Sequence, residues 1–239
     1  NVRDLGGLPT GDGGETRFGA VVRADSVRQL SEGGWQALVE HGVQTVIDLR
    51  GDYERADDPR SELPVEVVHV PFMEATEAEW EEIGAEVDAA VAAAPDVATA
   101  TRDVYLVFLE RFRPNVAATV RAVANAPEGG VVIHCAGGKD RTGLLSAFLL
   151  HLAGVADDEI AADYALSEER LRPRHEKWFE AAETEEELER LRRMAQTPAA
   201  SMAGVFAELE RRYGGVAAYL RGAGVTDEEL ELVRERLRG

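Results

Sequence analysis

The 239-residue chain has one cysteine, Cys135, and only two lysines, Lys139 and Lys177, among its 26 basic residues. A single thiol excludes a disulfide framework and any metal or iron–sulfur site built from several cysteines. Acids number 45, so the net charge is −19. That excess argues against an extended nucleic-acid footprint and against passive adhesion to anionic membranes. Long apolar runs are also missing: the longest, 144–156, contains His151 and is too short to span a bilayer. No charged-then-apolar leader is visible, so the expected location is cytoplasmic, or secreted without a visible signal peptide. Internal repeats and low-complexity linkers are lacking as well. What is there is an ordinary globular mixture, 45% hydrophobic and 30% charged, which excludes disordered and fibrous classes. The length suits one substantial core, so 1–239 reads as a single domain.

Residues 1–17, rich in glycine and turns, read as an irregular arm. A short strand is expected at 19–23, then a helix over 31–41 with Ser31 as N-cap and Gly42 as its stop. The β-branched run 43–49 ends in Asp48-Leu49-Arg50 and lacks strict alternation, which fits a strand covered on both faces. A loop through Asp58 and Pro59 leads to 65–70, a second buried-strand candidate. Helical segments follow at 76–94 and 96–112, and Pro114 starts another that runs to about Ala126. Then come the very apolar strand 131–134, a loop, and a buried helix over 144–152. Segments 157–166, 168–195, 199–213, 215–222 and 226–238 read as helices punctuated by Pro173, Pro198 and Gly214-Gly215. Strands alternating with helices give an α/β class: a central, mostly parallel sheet flanked by helices, with a helical C-terminal third.

The scarce residue types meet in one loop, Cys135-Ala136-Gly137-Gly138-Lys139-Asp140-Arg141, between the strand ending at His134 and the following helix. Loops at the carboxyl ends of parallel strands are where such sheets place ligands. Helix N-termini offer unpaired N–H groups and a positive dipole end, so an anion is favoured. Gly137 and Gly138 let the backbone turn its amides inward. Five residues between Cys135 and Arg141 can wrap one tetrahedral oxyanion, with Arg141 gripping two oxygens at once. A cysteine in such a field is favoured as the thiolate and is placed for in-line attack on phosphorus. The alternative reading makes Cys135 a small buried hydrophobe at a strand end.

His134-Cys135-x5-Arg141-Thr142-Gly143 resembles the phosphate-binding signature of the cysteine-dependent tyrosine and dual-specificity phosphatases. The fuller form, with Gly138-Lys139-Asp140, is similar to a bacterial atypical group typified by a secreted mycobacterial tyrosine phosphatase. Weaker patches agree in order: Asn1-Val2-Arg3-Asp4-Leu5-Gly6-Gly7, Val22-Arg23-Ala24-Asp25, Val46-Ile47-Asp48-Leu49-Arg50, Asp163-Tyr164 and Tyr213-Gly214-Gly215.

The resemblance implies a cysteine-phosphatase-like fold and hydrolysis of phosphotyrosine through a phosphocysteine on Cys135. Ala136, Gly137, Gly138, Lys139, Asp140 and Arg141 then hold the phosphoryl group, and Arg141 also binds it in the transition state. Thr142 is implied to donate to the leaving thiolate, with helix capping as the plainer role. His134 is implied to tune the thiolate, or else is a satisfied strand-end histidine.

The Trp-Pro-Asp loop that many tyrosine phosphatases use for the general acid is lacking. Asp140, inside the loop, and Asp48, at the same sheet edge, are the candidates; either could instead be a salt bridge to Arg141 or Arg50. Lys139 is implied to widen activity to phosphoinositides, or is a solvated lysine. Trp80, Trp178 and Phe179 are candidates for a helical cover over the pocket, or core. Arg170, Arg172, Arg174 and His175 form a basic patch.

No metal or cofactor is expected, because Arg141, the loop amides and the helix dipole supply charge stabilisation. The expected partners are a phosphorylated protein or a small phosphomonoester or phosphoinositide, with no nucleic acid and no integral membrane association. A non-catalytic phospho-ligand binding module is the alternative from another class.

Overall fold

The computed structural model describes residues 1–56 and 65–239, so the expected loop through Asp58 and Pro59 lies outside the described residues. The strands are β1 (Arg3–Asp4), β2 (Val21–Ala24), β3 (Val43–Asp48), β4 (Glu66–His69) and β5 (Gly130–His134). They form one sheet in the order β1-β2-β5-β3-β4. β2, β5, β3 and β4 run parallel, and only β1 is antiparallel to its neighbour. The arm at 1–17 is therefore partly ordered as a sheet edge, where an irregular segment was expected; Arg3 pairs with Arg23 in register.

The helices are α1 (Glu32–Glu40), α2 (Asp52–Ala56), α3 (Glu77–Ala93), α4 (Val97–Arg111), α5 (Arg113–Ala124) and α6 (Arg141–Leu152). The C-terminal third adds α7 (Asp157–Ala181), α8 (Glu185–Ala195), α9 (Ala199–Tyr213), α10 (Val216–Gly222) and α11 (Asp227–Arg238). Several starts follow from side-chain caps: Ser31, Thr76, Asp96, Thr184 and Thr226 each accept a hydrogen bond from a first-turn amide. The expected α/β class holds, with a mostly parallel sheet between helices.

Strand alternation divides the core in two. Val21, Ile47, Val131 and Ile133 point to the side of α5 and α6, within the large cluster that also takes in α9 to α11. Val22, Ala24, Val43, Val46 and Val132 point the other way, against Leu38 of α1. α6 is buried along almost its whole length, through Leu144, Leu145, Phe148, Leu149 and Leu150. Each such side chain contributes roughly 1.5–3 kcal/mol, which fixes the helix rigidly behind the strand ends.

Three boundaries differ from expectation. β4 is an edge strand with Glu66 and Val67 exposed, not a second buried strand, because nothing pairs beyond it in the sheet order. α6 starts at Arg141 rather than Leu144, which puts Arg141 and Thr142 in its first turn. α7 runs unbroken through Ser167 and Pro173, and the chain breaks instead at 182–184. Pro173 is exposed, as is Glu169 four residues earlier, so water can satisfy the carbonyl that the proline leaves without a donor.

Candidate active site

β5, β2 and β3 end together, and the loop from Cys135 to Asp140 sits on that edge before α6. Gly138 has φ +65°, and a Cβ there would lie 2.6 Å from the Ala24 carbonyl oxygen and the Asp25 amide nitrogen. Only glycine fits that turn against the end of β2. The loop's carbonyls are taken up on its outer side. Ala136 accepts from the Ser26 amide at 3.2 Å and from Arg174 Nη1 at 3.1 Å. Gly138 accepts from Asn1 Nδ2 and from Arg23 Nη2, both at 2.9 Å. Gly137 accepts from Asn1 Nδ2 at 3.4 Å. With planar trans peptides, carbonyls held outward turn the N–H groups of Gly137, Gly138 and Lys139 the opposite way. The Gly138 N–H indeed donates to Cys135 Sγ at 3.3 Å.

Arg23 is fully buried and is held by Asp163, whose Oδ2 accepts from Arg23 Nη1 at 2.6 Å and whose Oδ1 accepts from Arg3 Nε at 2.7 Å. Burial, then the neighbouring Arg23, brings the Arg3 pKa down to about 10. Burial pushes the Asp163 carboxyl up, but the two arginines outweigh it and the net shift is downward. Ser167 Oγ accepts from both guanidinium groups. The network braces the loop from behind, and leaving one of its charges alone at this depth is strongly unfavourable.

Cys135 is 2% exposed and Arg141 stands six residues on, at the start of α6. Glu54 of α2 takes the Arg141 guanidinium in a two-pronged bridge, with Nη2 2.8 Å from Oε1 and Nη1 on Oε2. Burial alone would lower the Arg141 pKa; its hydrogen bonds to Glu54 and the electrostatic pull of the groups around it raise it well above its ordinary value. Glu54 is correspondingly lowered, since Arg141 outweighs its burial. The guanidinium thus stays charged and is held in place by Glu54.

The two candidate acids sit in contrasting places. Asp48 is buried and accepts from Arg50 Nε at 2.9 Å and Arg50 Nη2 at 2.7 Å, with Arg55 Nε 3.3 Å away. Burial pushes its carboxyl up, but the Arg50 hydrogen bonds and His134 hold it below the ordinary aspartate value. Of the two readings for Asp48, this geometry is the salt bridge to Arg50. Asp140 is half exposed and occupies the N-cap position of α6 without capping it. Its Oδ1 instead accepts from the Tyr105 hydroxyl of α4 at 2.6 Å.

His134 lies between Asp48 Oδ1, 3.5 Å from Nε2, and the Cys135 carbonyl, 3.2 Å from Nδ1, so it links the two strand ends. The buried Thr142 hydroxyl has no hydrogen-bond partner among the described residues, and the bond to sulfur that the resemblance implies is not made here. Lys139 is not a solvated lysine: its Nζ donates to the Met194 carbonyl near the end of α8 at 2.6 Å and lies 3.5 Å from Asp140 Oδ1. A cation at a helix carboxyl end is favoured by the dipole, so Lys139 fastens α8 to the loop.

Arg174 reaches Ala136 from α7 while its guanidinium stacks 4.9 Å over Trp178. The segment lying over the loop is therefore the α7–α8 pair. Trp80 packs elsewhere, 5.3 Å from Phe112. The basic patch disperses: Arg170 reaches the Val2 carbonyl, Arg174 the loop, and His175 is buried against Trp178 and Phe179. Sequence reasoning gave no role to Glu54, Tyr105 or the Arg3–Asp163–Arg23 network. Glu54, four residues beyond Arg50 on the same sheet edge, is the one for which position carried a signal.

A family model described as the tyrosine phosphatase family matches residues 1–239. The chain is 28% identical over 227 residues to a tyrosine-protein phosphatase of Nostoc commune, covering 91% of this chain and 74% of that one. It is 26% identical over 270 aligned residues to the triple specificity protein phosphatase PtpB of Mycobacterium tuberculosis, covering 100% of this chain and 96% of PtpB.

Proposed function

The chain belongs to the tyrosine phosphatase family, and from that premise we propose that Cys135 and Arg141 hydrolyse phosphomonoesters in two steps within one domain spanning 1–239. Cys135 Sγ attacks phosphorus as the ester P–O bond breaks, and Asp140 gives its proton to the departing oxygen. Water then attacks the phosphocysteine, its proton passes to Asp140, the S–P bond breaks and the thiolate returns. Arg141 and the amides of 136–141 hold the equatorial oxygens throughout. Asp48 is not assigned the acid role, since it is buried and both of its carboxyl oxygens are taken by Arg50. It fixes His134 instead, and Thr142 meets the sulfur when the thiolate departs.

The observation that carries this reading is the Gly138 N–H on Cys135 Sγ within a loop whose carbonyls at 136, 137 and 138 are taken up by Ser26, Arg174, Asn1 and Arg23. Phosphotyrosine is the substrate class, and the triple specificity in the name of the M. tuberculosis relative supports activity beyond it; phosphoserine, phosphothreonine or phosphoinositides are the further classes that the loop's resemblance implies. Among the described residues no helix is long and apolar enough to cross a membrane, so nothing described here would insert this loop into one.

Leaving groups test the acid. Asp140→Ala is expected to lose about 100-fold in kcat/KM on phenyl phosphate, whose phenolate leaves poorly, and little on p-nitrophenyl phosphate. Equal losses on the two esters would remove Asp140 from the role.

A further inference from the structure

Two buried tyrosines stand behind Asp140, and the two-step reaction gives them no part. Tyr105 on α4 and Tyr164 on α7 are each 1% exposed, and their hydroxyls are 2.8 Å apart. The single proton of Tyr105 goes to Asp140 Oδ1 at 2.6 Å, so Tyr164 is the donor between the two phenols. The chain runs Tyr164 to Tyr105 to Asp140. Burial, then the Asp140 charge, pushes the Tyr105 hydroxyl well above its ordinary range, so it holds its proton and acts only as a donor. Asp140 Oδ2 has no hydrogen bond among the described residues.

We propose that Tyr105 is a positioning residue for the general acid, supported by Tyr164, and that it sets which carboxyl oxygen carries the proton. An oxygen already accepting a strong hydrogen bond from a phenol is the poorer place for a proton. Oδ1 is thereby kept as the carbonyl-like oxygen, and Oδ2 becomes the O–H that faces the departing group. After transfer, the same phenol stabilises the new carboxylate, where hydrogen bonds to charged acceptors are strongest. The arrangement explains why Asp140 stands at the N-cap position without capping α6: its side chain is drawn towards α4 instead.

This inference rests on Asp140 being the acid, so Asp140→Ala is measured beside Tyr105→Phe and Tyr164→Phe. The readout is kcat and KM, taken separately, for phenyl phosphate and p-nitrophenyl phosphate. Tyr105→Phe is expected to lose about tenfold on phenyl phosphate and about twofold or less on p-nitrophenyl phosphate. Tyr164→Phe, which keeps the Tyr105–Asp140 contact, shows the same signature at smaller size and stands in if Tyr105→Phe does not fold. Equal losses on both esters, in both tyrosine variants, would make the pair mere packing and overturn the proposal. If Asp140→Ala discriminates between the esters and the tyrosine variants do not, the positioning role alone falls. Should Asp140→Ala fail to discriminate, the general-acid reading falls with it.

Discussion

Cys135→Ser is expected to lower kcat on p-nitrophenyl phosphate by on the order of 10⁴-fold or more, measured with EDTA present, while inorganic phosphate still binds. The argument is one of charge rather than shape. Serine fits the same 2%-exposed position and can still accept from the Gly138 amide. Its hydroxyl, however, is not ionised near neutral pH, so the attack on phosphorus loses its nucleophile. Phosphate affinity does not fall, because Arg141, Glu54 and the outward-held carbonyls are untouched. Removing the thiolate also removes a like charge beneath the anion, so binding is retained or tightens. Calorimetric titration with phosphate, beside a steady-state assay, separates these effects. Activity persisting in the serine variant would place the nucleophile elsewhere. A wild type that binds phosphate and hydrolyses nothing would be a phospho-ligand binding module.

The second large effect is at Arg141. Arg141→Lys is expected to cost about 10²–10³-fold in kcat/KM although the charge is kept. A guanidinium can hold Glu54 with one pair of N–H groups and oxygens of the phosphoryl group with the others; the bridge to Glu54 uses one N–H each of Nη1 and Nη2, which leaves Nε–H and a second N–H on each of them. An ammonium is a point charge without that fork, and Glu54, held ionised, competes for it. Vanadate, which expands to the five-coordinate geometry of the reaction, should lose affinity in proportion to kcat/KM. A lysine variant with undiminished vanadate affinity would show that the fork does not matter.

The chemistry was legible because its parts are contiguous. Cys135, Gly138 and Arg141 fall within seven residues, and the strand before them and helix after them are among the most apolar stretches of the chain. Asp48 and Arg50 pair two residues apart, so their bridge was within reach of a local reading. Glu54 meets Arg141 across 87 residues of sequence and Asp163 meets Arg23 across 140, and no local pattern announces such partners. Tyr105 hides for another reason: in an amphipathic helix, a buried tyrosine is ordinary core until its hydroxyl is seen on a carboxylate 35 residues away.

The misread elements have equally physical causes. The sequence of β4 is apolar enough for an interior strand, but its place at the sheet edge exposes Glu66 and Val67. Pro173 punctuates by its chemistry, yet it lies on an exposed face where water can satisfy the carbonyl it leaves without a donor, and α7 continues. Lys139 is not solvated, because α8 folds back over the loop and offers the Met194 carbonyl to its ammonium, a tertiary contact that spacing does not carry.

The covalent intermediate itself is the most direct test. Wild-type enzyme mixed with excess labelled phosphotyrosine peptide, quenched with acid during the first turnovers and digested, should yield phosphate on the peptide containing Cys135 and on no other. Label on a histidine, serine or aspartate peptide, or rapid turnover with no labelled protein at any quench time, would contradict a phosphocysteine route.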